Sequence, residues 1–200
     1  MAGLLLFIAS MMLILGFIAA EAFYPNYSLS NDKLSDLGAK APMSFLPVPA
    51  SDVSIQQPSS LIFNSTVFLA GVLIAISSLL ICRGSGSKIL GRLLVIPGIG
   101  GIIVGLLTEQ MGMIHYIGAI MVFVFGPLAA IVSYRSVKPP FSYLSIAMGL
   151  ISLAFVPFVA MGIYNALLTY TIVVTGGAEN MIVYPFLSWM LAFGTYLMKD

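Results

Sequence analysis

Charge is scarce in this chain. Eight basic and seven acidic side chains are spread over 200 residues, a charged share of 8% where soluble domains carry about 25%. With 60% hydrophobic residues, so short a soluble chain could not hide its apolar surface in one core. Hydrocarbon is the solvent that fits. A formal net charge of +1 leaves no basic patch, so no nucleic-acid partner is expected. Cysteine is nearly absent as well. Cys82 stands alone, which excludes an internal disulfide; beside Arg83 at a helix end it reads as an inert apolar residue rather than an acylation site. The sequence has a single histidine, no H-E-x-x-H and no G-x-S-x-G, and these lacks argue against the common metallohydrolase and serine-hydrolase sites. Arg83-Gly-Ser-Gly-Ser-Lys88 is rich in glycine but is not a P-loop, and no strand precedes it. No cofactor is expected.

What remains is a series of long apolar runs. A spanning helix needs about 20 mostly apolar residues. The candidates are 3–23, 61–82, 89–107, 114–134, 143–164 and 181–198. They predict an all-α integral membrane protein, a compact six-helix bundle forming one transmembrane domain over 1–200, with a long outer loop at 24–60. The Thr- and Val-rich stretch 165–175 is expected to extend past the lipid. Ala20-Glu21-Ala22 resembles a signal cleavage site, yet no Lys or Arg precedes the first run, so that run is expected to stay as a span.

Lys and Arg set the orientation. Arg83, Lys88 and Arg92 lie around the second connection, Arg135 and Lys138 in the fourth, and Lys199 after the last run. These alternate connections are expected on the cytoplasmic side of a cell membrane, with both termini. Lys33 and Lys40 alone stand opposite, together with Asp32, Asp36, Asp52, Glu109 and Glu179. The outer Asn26-Tyr27-Ser28 sequon offers a glycan site.

Helices in lipid associate through close backbone contact and a few hydrogen bonds. Gly98, Gly101 and Gly105 on the third run, with G-x-x-x-G spacing between the last two, face a smooth stripe of Gly71, Ala75 and Ser78 on the second. These two helices are expected to be close neighbours. Pro97, Pro127, Pro157 and Pro185 interrupt the last four runs, as is common in membrane helices. Trp189, near the middle of the last run, should face another helix and find an acceptor for its N–H.

Ionisable groups near a span need a reason to be there. Asp36, Asn64, Glu109, His115 and Glu179 can converge as a polar cluster at the outer mouth of the bundle. Carboxylates with an imidazole could carry acid–base chemistry, with His115, Glu109, Asp36 and Glu179 as catalytic candidates, or could hold a metal through Glu109 and His115. The structural alternative is a set of salt bridges and caps that fixes the loop over the helix ends, with His115 capping its helix or pairing with Glu109; the residue types favour this alternative.

These landmarks carry a resemblance. Tyr27-Ser-Leu-Ser-Asn31 with Leu34-Ser-Asp-Leu-Gly38, Ile62-Phe-Asn64 followed by Gly71, Gly105-Leu-Leu with His115-Tyr-Ile-Gly-Ala119 and Phe123, and Glu179 with Val183-Tyr-Pro185, Trp189 and Gly194 resemble a six-span membrane family catalogued as domain of unknown function 998. A more distant likeness is to the Frag/DRAM/Sfk membrane group, through the Ser-Asp-x-Gly loop and a helix-start histidine. Asn180 stands where the resemblance leads one to expect a basic residue. The resemblance implies a fold and no activity.

Three functions are weighed. The first is a non-enzymatic accessory subunit or lipid-contacting scaffold, partnered by membrane lipids and other membrane subunits, with its outer carboxylates already paired. The second is a membrane enzyme or metal site acting on lipid headgroups at the outer surface. The third is a small transporter of an apolar solute; Ser65, Thr66, Ser77, Ser78 and Ser152 are too few for an ion path. The first is preferred.

Overall fold

The apolar runs fold as helices because every backbone N–H and C=O in hydrocarbon must be bonded within its own segment. The computed structural model describes residues 1–84, 87–169 and 176–199, with side chains described outside 163–176. Its helices are α1 (Ala2–Ala22), α2 (Ser59–Arg83), α3 (Lys88–Leu106), α4 (Met113–Val132), α5 (Phe141–Thr169) and α6 (Gly176–Leu197), and no strand occurs among the described residues. The stretch 165–175 is helical as far as Thr169; 170–175 lie outside the described residues, as do 85–86 of the glycine-rich connection.

Among the described residues, five helices, α1 to α5, are long and apolar enough to cross a membrane. Their unburied faces carry leucine and isoleucine: Leu15, Ile18, Leu69, Leu79, Ile117 and Leu150 are exposed. An apolar outside on a bundle of long apolar helices is the mark of a lipid-facing surface, and the chain is a multi-pass membrane protein. α6 is not among the five. Glu179, Asn180, Tyr184, Pro185 and Ser188 dilute its hydropathy. It is nonetheless deeply packed, with Ile182, Leu187, Trp189, Met190 and Phe193 buried.

Each helix packs on its neighbours in sequence, and α6 returns against α1 to close the ring. Hydroxyls join some of the seams: Ser77 Oγ donates to Ala2 O at 2.9 Å and Ser152 Oγ to Ile182 O at 2.8 Å. Trp189 is stacked between Phe186 and Phe193, at centroid distances of 5.8 and 5.1 Å. Its indole N–H donates to Ser133 Oγ at 3.0 Å. The partner thus comes from the short 3-10 turn Ser133–Ser136 that succeeds α4. Ser133→Ala should leave that buried N–H unpaired and lower stability by about 1 kcal/mol. Trp189 is the chain's one tryptophan, so its fluorescence during thermal unfolding in detergent reads the change.

Candidate functional site

The segment between α1 and α2 folds back onto one end of the ring. Its 3-10 turn Leu34–Leu37 pushes Leu34 and Leu37 into the hydrophobic core. Asp36 closes this turn by accepting the Lys33 N–H at 2.9 Å. The first turns of α2 grip the C-terminal end of the turn. Ser59 Oγ donates to Leu37 O at 3.3 Å, Asn64 Nδ2 donates to Gly38 O at 3.3 Å, and Ser60 Oγ also donates to Gly38 O. A Cβ on Gly38 would lie 2.5 Å from Asn64 Oδ1, so only glycine lets the loop come this close. At the α3–α4 turn Gly112 has φ +59, and a Cβ there would meet Leu46 O at 2.7 Å. The loop is therefore seated at both ends.

This docking gathers the charges. Lys33 Nζ lies 2.5 Å from each carboxylate oxygen of Glu109 and 3.6 Å from Asp36 Oδ1. Ser35 Oγ donates to Glu109 Oε1 at 2.6 Å. Glu179, in the first turn of α6, receives the Leu34 N–H at 3.0 Å and the Ser35 N–H at 3.4 Å, both on Oε2. Asp36, Glu109 and Glu179 are all buried. Burial opposes the charge on Lys33, but Glu109, Asp36 and Glu179 outweigh it and push the ammonium above the ordinary lysine range. Burial pushes the Asp36 carboxyl up, against the pull of Lys33. A second, more exposed pair, Lys40 with Asp32 at 2.6 Å, lies beside the first.

His115, in the first turn of α4, is buried, and its Nδ1 lies 2.6 Å from Leu107 O. A carbonyl can only accept, so Nδ1 carries the proton and Nε2 is left as an acceptor. Of the two partners expected for His115, neither is the one found: it caps the end of α3, not its own helix, and it does not bond Glu109. Asn180, where a basic residue was expected, donates to Leu29 O at 3.1 Å. The cation near Glu179 is Lys33, contributed by the loop. Lys33 and Ser35 are the site residues that sequence reasoning does not single out; the spacing of Lys33 one turn before Asp36 is the available signal. Among the described residues, no group of three His, Cys, Asp or Glu side chains is placed to hold a metal ion.

Beneath this polar roof lies a cavity of about 110 Å³. Lys33, Ser35, Glu109, His115 and Glu179 line its upper end. Every helix contributes to the walls, which are almost wholly apolar: Phe17, Val67, Val104, Phe123, Val159 and Val183 are representative. Gly71 and Gly101 reach it as well, at the close contact of α2 with α3. Ile120 lines the cavity and is also 51% exposed, so this side chain reaches both the cavity and the outer face of α4.

If Glu179 holds the loop as its bonds indicate, Glu179→Ala should free two backbone donors at Leu34 and Ser35. The loss of one or two buried hydrogen bonds costs about 1–3 kcal/mol. Amide exchange over 33–38 should speed up by about tenfold or more, while exchange in α2 and α3 stays unchanged.

A family model described as "Protein of unknown function (DUF998)" matches residues 7–196. No curated protein and no solved structure matches the chain.

Proposed function

The chain belongs to the DUF998 family, and on that premise we propose that it is a non-enzymatic, lipid-contacting component of a cell membrane. α6 is its sixth span, shielded from lipid by α1 and α5. Both termini lie in the cytoplasm, and the loop between α1 and α2 lies outside. The positive connections support this orientation, since Arg83, Lys88, Arg135 and Lys138 fall at one end of the ring and Lys33 with Lys40 at the other.

One observation carries the functional reading. The carboxylates best placed for chemistry are already occupied in holding the fold: Glu109 takes Lys33 and Ser35, and Glu179 caps the loop backbone. A general acid or base needs its proton within reach of a substrate, and a carboxylate locked between a buried ammonium and a hydroxyl is committed elsewhere. The same residues clamp the outer loop to α3, α4 and α6, as a scaffold requires.

The test uses the full chain in lipid nanodiscs with headgroup-labelled phospholipids. Phospholipid should copurify with the chain and stay chemically unchanged. Headgroup release or transfer that disappears in Glu109→Gln would overturn the reading. Single cysteines at Lys40 and Lys138, in a Cys82→Ala background, should react with an impermeant reagent from opposite sides of the membrane.

A further inference from the structure

We propose that the cavity under the polar roof binds the chain of a single-chain amphiphile whose head is a protonated amine. The inference rests on the lipid-contacting reading and carries it from the outer surface of the bundle to its interior.

The walls select the tail. They are built from Val, Phe, Leu and Ile side chains of all six helices. An apolar cavity of comparable size, about 150 Å³, stays dry and takes up a small hydrocarbon. At about 110 Å³, the space suits one alkyl segment and excludes a second acyl chain beside it. Ile120 is a lining side chain that is also exposed on the lipid side of α4, and entry is placed there, so that a chain already in the bilayer need not cross water.

The roof selects the head. Its charged lining is one cation, Lys33, against two carboxylates, Glu109 and Glu179, with the neutral His115 and Tyr116 beside them and Asp36 directly behind. Lys33 is spent on Glu109 and Asp36. Among the carboxylate and imidazole groups that line the cavity, two acceptors remain. Glu179 uses Oε2 on the loop backbone, and its Oε1 has no hydrogen-bond partner among the described residues. His115 is only 3% exposed, and its Nε2 also has none among the described residues, because Nδ1 is the atom bonded to Leu107. Both side chains line the cavity, so a ligand there meets two acceptors that no described residue serves. A ligand with several N–H groups and a positive charge supplies both the donors and the counter-charge. A carboxylate or phosphate head would add an anion beside two others, where like charges repel.

The experiment measures binding of radiolabelled dodecylamine, dodecanol and dodecanoate to the full chain in nanodiscs. Dodecylamine should bind saturably at one per chain, about tenfold or more tighter than dodecanoate and tighter than dodecanol. Ile120→Trp changes a half-exposed side chain at the mouth and should block uptake of all three without disturbing the core. His115→Phe removes the Nε2 acceptor and should narrow the preference for the amine over the alcohol. Unsaturable uptake, equal or better binding of dodecanol or dodecanoate, or saturable binding that ignores Ile120→Trp would each overturn the assignment. None of these results touches the scaffold reading, which falls only with headgroup turnover.

Discussion

Lys33→Met should lower the stability of the protein by about 3–5 kcal/mol, the loss typical when one partner is taken from a buried ion pair. The large size comes from the charges left behind. Among the described residues Lys33 is the single cation in contact with Glu109, and it also faces Asp36. Both carboxylates are 2% exposed. Without the ammonium, Glu109 keeps the Ser35 hydroxyl and nothing to balance its charge, while Asp36 and Glu179 repel it. The cost is that of stranded charge, more than of a lost attraction. Removing both ends should therefore be milder than removing one: Lys33→Met with Glu109→Met should recover the greater part of the loss. Thermal unfolding in detergent, followed by Trp189 fluorescence, gives both numbers. A single substitution that costs less than about 1 kcal/mol would place Lys33 among surface pairs and would remove the roof from the account of how the loop is held. A double variant as unstable as the single one would mean that Lys33 acts through its methylene stem, by packing.

The helices are legible in the sequence because hydropathy and length decide them; the expected spans and the observed ends differ by one or two residues for α1 to α4. α6 shows the limit of that signal. Its run reads as a span, yet Glu179, Asn180 and Tyr184 keep it outside the apolar class, and its depth in the bundle comes from packing partners that no local window sees. The polar roof is legible only in part. Asp36, Glu109 and Glu179 stand out as candidates because acidic groups beside lipid need an explanation. Lys33 stands in the sequence only as an outer positive charge, since its bond to Glu109 joins residues 76 apart and depends on how the loop folds back. His115 bonds a backbone carbonyl, a partner that sequence never advertises. The cavity has no sequence signature at all: its wall residues are the same valines and phenylalanines that elsewhere fill the core.

Gly71→Ala and Gly105→Ala should each cost more than about 3 kcal/mol, beyond the usual range for overpacking, whereas Gly101→Ala should cost far less. All three lie at the contact of α2 with α3, and the G-x-x-x-G spacing of Gly101 and Gly105 makes that pair equivalent by pattern. The structure makes them unequal. A Cβ on Gly71 would sit 2.6 Å from Ile102 N, 2.8 Å from Gly98 O and 2.9 Å from Gly101 C. One on Gly105 would sit 2.5 Å from Phe68 N and 2.7 Å from Asn64 O. Every one of these obstacles is main chain, which cannot rotate aside, so the methyl must push two helices apart along a seam held by close packing. On Gly101 the nearest atom is Gly71 Cα at 3.1 Å, and the next is 3.5 Å away, a misfit of a few tenths of an ångström. Separating α2 from α3 would also widen the cavity wall where Gly71 and Gly101 meet it. The two tight positions should therefore lose amine binding along with stability, and Gly101→Ala should keep both. Equal destabilisation by Gly101→Ala and Gly105→Ala in thermal unfolding would mean that spacing along α3, and not the local backbone approach, governs the seam.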